Sequence, residues 1–169
     1  MASSKLVGLL FEAWKDMDRV LDGLAPAEAV ENFDGGSSFA WTLAHVTNQV
    51  DAWINVRFQR QAPHKLIGQE RFRFGGTGKA EDWVDIQRGV REVRQIARSY
   101  LQQLMDEELD RVVAYEGTFT RLQQTGLSLR HALLRVSAHH YFHIGEVASK
   151  RDRLGHKVGD YPGLLEECI

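Results

Sequence analysis

Hydrophobic positions recur every three or four residues over four stretches of the chain, and each stretch predicts an amphipathic helix. The first runs from about residue 4 to residue 24, with the apolar row Leu6, Leu10, Ala13, Met17, Val20 and Leu24. Ser3 or Ser4 is the expected cap, and Asp22, Gly23 and Pro26 close it. The second follows Gly35 and Gly36, is capped by Ser37 or Ser38, and carries Phe39, Leu43, Val46, Val50 and Trp53 on its way to about Arg60. The third, from about Ala80 to Met105, aligns Trp83, Ile86, Val90, Val93, Ala97, Tyr100 and Leu104. The fourth begins after Gly126 with Ser128 as its cap and runs to about Arg153, aligning Leu129, Ala132, Val136, His139, His143 and Val147.

Four long amphipathic helices without a strand series predict an all-α fold, a four-helix bundle formed by residues 1–169 as a single domain. The second and third helices are separated by a long loop over residues 61–79, a length often associated with function. Before the fourth helix, residues 111–115 and 118–121 flank Glu116 and Gly117 and predict a small hairpin or irregular insert. The tail after Gly155 contains Gly159, Pro162 and Gly163 and is expected to be irregular.

Composition narrows the function classes. A formal charge of −2 and scattered Lys and Arg offer no stripe for nucleic acid or an anionic membrane. No stretch reaches the length of a membrane span. The one cysteine, Cys168, has no intramolecular partner, which fits a cytoplasmic protein. The segment Gly75-Gly76-Thr77-Gly78 lacks the strand and the Lys-Ser/Thr context of a phosphate loop.

Candidate chemistry lies in the seven histidines. His139 and His143 are four apart, hence on one face of the fourth helix, and both fall on its apolar row. Two inward imidazoles must have their polar atoms satisfied. A divalent ion held by both would do so; hydrogen bonds to a facing helix are the alternative. His140 lies about 100 degrees away around the helix and is expected at the surface or an interface. His45 on the second helix is the candidate third ligand, although its own phase is ambiguous.

The stretches Ser38-Phe39-Ala40-Trp41-Thr42-Leu43-Ala44-His45 and His139-x-x-x-His143-x-Gly145-Glu146, in this order on a four-helix pattern, resemble the DinB/YfiT-like superfamily of metal-binding bundles. The resemblance covers nearly the whole chain. It implies one divalent ion held by His45, His139 and His143, with open coordination positions, and a homodimer formed by helix packing. Ile144 stands where many members carry Arg or Lys, a departure expected to alter the surrounding surface.

Relatives of this kind include thiol-dependent S-transferases and isomerases. The resemblance therefore implies a metal-dependent transferase in which Zn, Ni or Fe activates a low-molecular-weight thiol, or water. A non-enzymatic metal-binding stress-response protein and a structural helical dimer without metal are the competing readings. Glu146, three residues after His143, is a candidate outer-shell acceptor or base, and Gln49, one turn beyond His45, a candidate polar group nearby. His64 belongs to the long loop and reads as solvated. Trp41, Trp53, Tyr141 and Phe142 read as packing residues.

Overall fold

The computed structural model describes residues 4–33 and 35–169. It is predominantly helical, and each long helix begins where a short polar side chain precedes an apolar row. Helix α1 spans Lys5–Leu21, with the Ser4 hydroxyl accepting from the Leu6 amide; Ser3 lies outside the described residues. A five-residue helix, α2 (Pro26–Val30), follows with proline in its first turn, where a missing N–H costs nothing. Helix α3 (Phe39–Val50) is capped by the Ser38 hydroxyl on the Trp41 amide. It continues without a break through a π-helical segment, Asp51–Val56, into the short α4 (Arg57–Gln59). Arg60, in the left-handed region at φ 61°, ends this run. Helix α5 (Trp83–Leu101) is capped by Asp82. A six-residue helix, α6 (Thr120–Thr125), precedes α7 (Leu129–Arg153), which Ser128 caps on the His131 amide.

Helix α7 packs against α1 on one flank and α3 on the other, while α3 packs against α5 and α2 bridges α3 and α5. Arg94 of α5 closes the circle by donating to Asp18 of α1 at 2.6 Å. The core is one apolar cluster drawn from all four long helices, including Leu10, Met17, Phe39, Ile54, Ile86, Leu129 and Leu133. Arg151 of α7 caps the end of α1, donating through Nη1 to the carbonyls of Val20 and Asp22 at 2.8 and 2.6 Å. These orphan carbonyls of a helix C-terminus are thereby satisfied by a cation, which also suits the helix dipole.

The insert before α7 differs from the hairpin expected within residues 111–121. Strand β1 (Val112–Val113) pairs antiparallel with β2 (Leu127–Ser128), the residues entering α7. Thr120 and Arg121 instead start α6. The 61–79 loop has one 3-10 turn, Glu70–Phe72, and is pinned to the bundle: Asn48 donates to the Ile67 carbonyl at 2.7 Å and Phe72 is fully buried. No helix among the described residues is long and apolar enough to cross a membrane.

Candidate metal centre

Three imidazoles converge between α3 and α7. His45, His139 and His143 each offer one ring nitrogen, and these atoms lie within 4.8 Å of one another. The ring centroids are 4.9 Å apart for His45 and His139, 5.1 Å for His45 and His143, and 4.6 Å for His139 and His143. His45 and His143 are buried, at 5% and 8% exposure, and His139 is half-buried. The ambiguous phase of His45 resolves inward because almost the whole of α3 is buried, enclosed by α5, α7 and the loop.

Hydrogen bonds fix which nitrogen two of the rings present. The Nδ1 of His45 lies 2.7 Å from the Phe72 carbonyl, which can only accept, so Nδ1 carries the proton and Nε2 the lone pair. The Nδ1 of His143 lies 2.7 Å from Glu146 Oε2, and the same logic leaves His143 Nε2 bare. That atom lies 3.1 Å from His139 Nε2. Two nitrogens sharing one tetrahedral zinc ion at bonds of about 2.0–2.1 Å stand at a similar separation. His139 Nδ1 is buried and takes no partner among the described residues. The donor set therefore fits a borderline-soft divalent ion such as Zn, Ni or Fe.

The same pair of supports extends outward. Glu146 is held on its other oxygen by Lys150 Nζ at 2.5 Å, and Lys150 also donates to the Ser37 carbonyl at 2.9 Å. Hydrogen bonding from His143, with a further contribution from Lys150, pulls the Glu146 carboxyl down to about 2. A carboxylate so engaged is placed to accept from His143 and orient its ring. On the other side, Trp41 stacks on His45 with centroids 4.6 Å apart and donates from Nε1 to the Arg71 carbonyl at 2.7 Å. Two successive loop carbonyls thus anchor a tryptophan and a histidine of α3. Burial holds His45 below its ordinary value, and burial followed by the neighbouring His143 pushes His139 down to about 3. Neutral imidazoles are the form that binds metal.

The histidines line an open cleft of about 1520 Å³, with Gln49, Trp53, Arg57, Tyr115, Phe119 and Arg135 also on its walls. Gln49 Oε1 is buried there without a hydrogen-bond partner among the described residues. Trp41 and Trp53, expected as packing residues, are buried and also face this space. Phe142 corrects the packing expectation: it is 72% exposed at the rim, because its position on α7 falls outside both buried rows.

His140 is the larger correction. It is fully buried rather than at the surface, its Nδ1 donating to the Val136 carbonyl at 2.8 Å and its Nε2 unpartnered among the described residues. Helix α7 buries two rows, one with Val136, His143 and Val147 and another with Leu133, Ser137, His140 and Ile144, because it has neighbours on both flanks. Ile144 belongs to the second row and is core, not surface as expected. His64 is away from the cleft, with Nε2 on Glu92 at 2.8 Å and Nδ1 accepting from the Leu66 and Ile67 amides.

The model of the DinB superfamily matches residues 9–147, a span that contains all three histidines. The chain belongs to the DinB superfamily. A solved structure of a conserved protein from Enterococcus faecalis is similar in fold, with a TM-score of 0.67 over 92% of this chain and 99% of that one, at 17% identity. At that identity the likeness concerns the fold. No curated protein sequence matches the chain. Arg57, Arg135, Tyr115 and Phe119 escaped the sequence reading because they come from three separate segments. Trp53 and Arg57 belong to the π-helical run and α4 that continue α3, and they line the same cleft as His45.

Proposed function

We propose that the chain binds one divalent metal ion through His45, His139 and His143 and uses it in a metal-dependent transferase reaction on a small thiol. The observation that carries this reading is the convergence of three imidazoles on the wall of a wide cleft. Three protein ligands leave coordination positions free, the arrangement of catalytic rather than structural sites. A bound ion would supply positive charge that favours the deprotonated form of a thiol, or of water, held beside it.

The chain's own residues do the rest. Phe72 and Glu146 hold two of the rings in the tautomer that ligates. Trp41 shields His45 from solvent on its stacked face. Gln49 presents its amide to whatever occupies the cleft. The volume exceeds the few hundred to about 1,000 Å³ of an ordinary small-molecule pocket, which leaves room for a thiol and an electrophile side by side. In the transfer, the thiol sulfur bonds to an electrophilic carbon, the leaving group departs with its electron pair, and the thiol proton passes to solvent through the open cleft.

Elemental analysis of tag-free protein tests the metal, with about one ion per chain expected in the parent and its loss in His143→Ala. Turnover of an aryl halide with cysteine or glutathione tests the chemistry. Metal bound without turnover would leave the non-enzymatic metal-binding reading; no metal in the parent would leave the structural bundle.

A further inference from the structure

The cleft also carries two guanidinium groups and three aromatic rings that the metal chemistry does not use. Trp53, Tyr115 and Phe119 form one aromatic group, with centroids 5.9 to 6.2 Å apart. Arg57 lies over Tyr115 and Trp53 at 5.2 and 5.9 Å from their centroids. Arg135 lies over Phe119 and Trp53 at 4.7 and 5.3 Å. Each guanidinium is thus spread on ring faces, which hold its plane and leave N–H edges for a further partner.

Neither guanidinium has a carboxylate partner among the described residues. Elsewhere Arg19, Arg71, Arg94 and Arg130 all hold acidic side chains. Arg57 is half-buried and uses one nitrogen on the Ala52 carbonyl at 2.6 Å. Neither of the cleft's acids bonds to the pair. Asp51 is committed to the His64 amide at 2.8 Å and to Asn55, and Glu116 is solvent-exposed and is the smallest of the influences on Arg57, after burial, Tyr115 and Arg73.

Backbone geometry brings these groups into the same cleft as the histidines. Residues four apart drift around an α-helix, but the wider turn of the π-helical segment Asp51–Val56 keeps His45, Gln49, Trp53 and Arg57 on the cleft side. On α7 Arg135 precedes His139 by four residues, about 6 Å of rise. A ligand in the cleft can therefore meet the imidazoles and the guanidiniums together.

We infer that Arg57 and Arg135, backed by Trp53, Tyr115 and Phe119, form a subsite for an organic carboxylate that carries a flat apolar group. The carboxylate takes the free guanidinium edges, and the flat group packs on the rings. The subsite rests on the functional reading only in assigning its ligand to the substrate of that reaction. Its own binding needs no metal.

The test is calorimetric titration of the metal-free, EDTA-treated protein with 3-phenylpropionate and with its neutral amide, 3-phenylpropionamide. Charge-assisted bonds to two guanidiniums predict that the carboxylate binds about tenfold or more tightly than the amide. Arg57→Gln and Arg135→Gln each shrink that ratio, and the double variant abolishes it. Amide binding and zinc binding retained in each variant show that the fold is intact and that the lost preference belongs to the guanidiniums. Equal affinity for the two probes, no binding of the carboxylate, or a preference that survives in the double variant would overturn the proposal. Zinc titration of the same samples keeps the two readings apart, since zinc affinity depends on the histidines and the carboxylate preference on the arginines.

Discussion

Replacing Glu146 should weaken the metal centre without touching a ligand. Its Oε2 accepts from His143 Nδ1 at 2.7 Å, and Lys150 locks the other oxygen at 2.5 Å. The carboxylate sets the tautomer of His143 and raises the basicity of the opposite nitrogen. Loss of such an outer partner costs about 10- to 100-fold in metal affinity, or about 1.4–2.8 kcal/mol. The Glu146 side chain is 30% exposed, so water can take over part of the acceptor role. Glu146→Ala is accordingly expected near the lower end of that range, about 10- to 30-fold. Glu146→Gln keeps an oxygen acceptor but not its charge, and a neutral bond is about half as strong, so its loss is smaller. Competition titration of zinc against a chromophoric chelator at pH 7.5 measures both. Lys150 retains the Ser37 carbonyl in either variant, which keeps α7 tied to the turn before α3. Zinc affinity unchanged in Glu146→Ala, with native helicity, would refute the assignment of Glu146 as the group that orients His143.

Two further outcomes follow from burial. His140 is held at about 3, chiefly by burial, against 6.5 when unfolded. Between those pH values the unfolded chain binds a proton that the folded chain refuses. The stability this neutral ring confers is full above about pH 6.5 and falls as pH drops toward 3, by up to about 1.4 kcal/mol per pH unit. Urea titration of metal-free protein at pH 7 and pH 5 should show the decline, and His140→Leu should reduce it. In α1, a Cβ at Gly8 would lie 2.2 Å from the Glu167 carbonyl oxygen. Gly8→Ala should therefore displace the C-terminal turn, which is otherwise held by Glu12 on the Glu167 amide and Asp16 on the Gly163 amide. Faster hydrogen exchange at those two amides checks this, and unchanged exchange would contradict it.

The long helices were legible because each combines an apolar row with a capping side chain, as Ser38 and Ser128 illustrate. The five-residue α2 was not legible, since so short a helix has no periodicity. The π-helical turn was also silent, because i to i+5 hydrogen bonding leaves no mark in composition. Two-residue strands carry little pattern, and the partner of Val112–Val113 came from beyond α6. His139 and His143 were legible from their spacing and phase, and His45 from the family resemblance. The burial of His140 was missed because a single three-four row describes a helix with one packed face, whereas α7 has two. The anchors of the centre are tertiary: a carbonyl on residue 72 and a cleft wall assembled from three segments have no local signature.

The central claim is that His45, His139 and His143 hold one metal ion together. Anomalous diffraction above and below the zinc edge, on crystals of tag-free protein grown with zinc, tests it most directly. A single strong difference peak within bonding distance of all three rings, and its disappearance in His143→Ala crystals, is the predicted result. A map without that peak, or with zinc bound only elsewhere on the chain, would contradict the account.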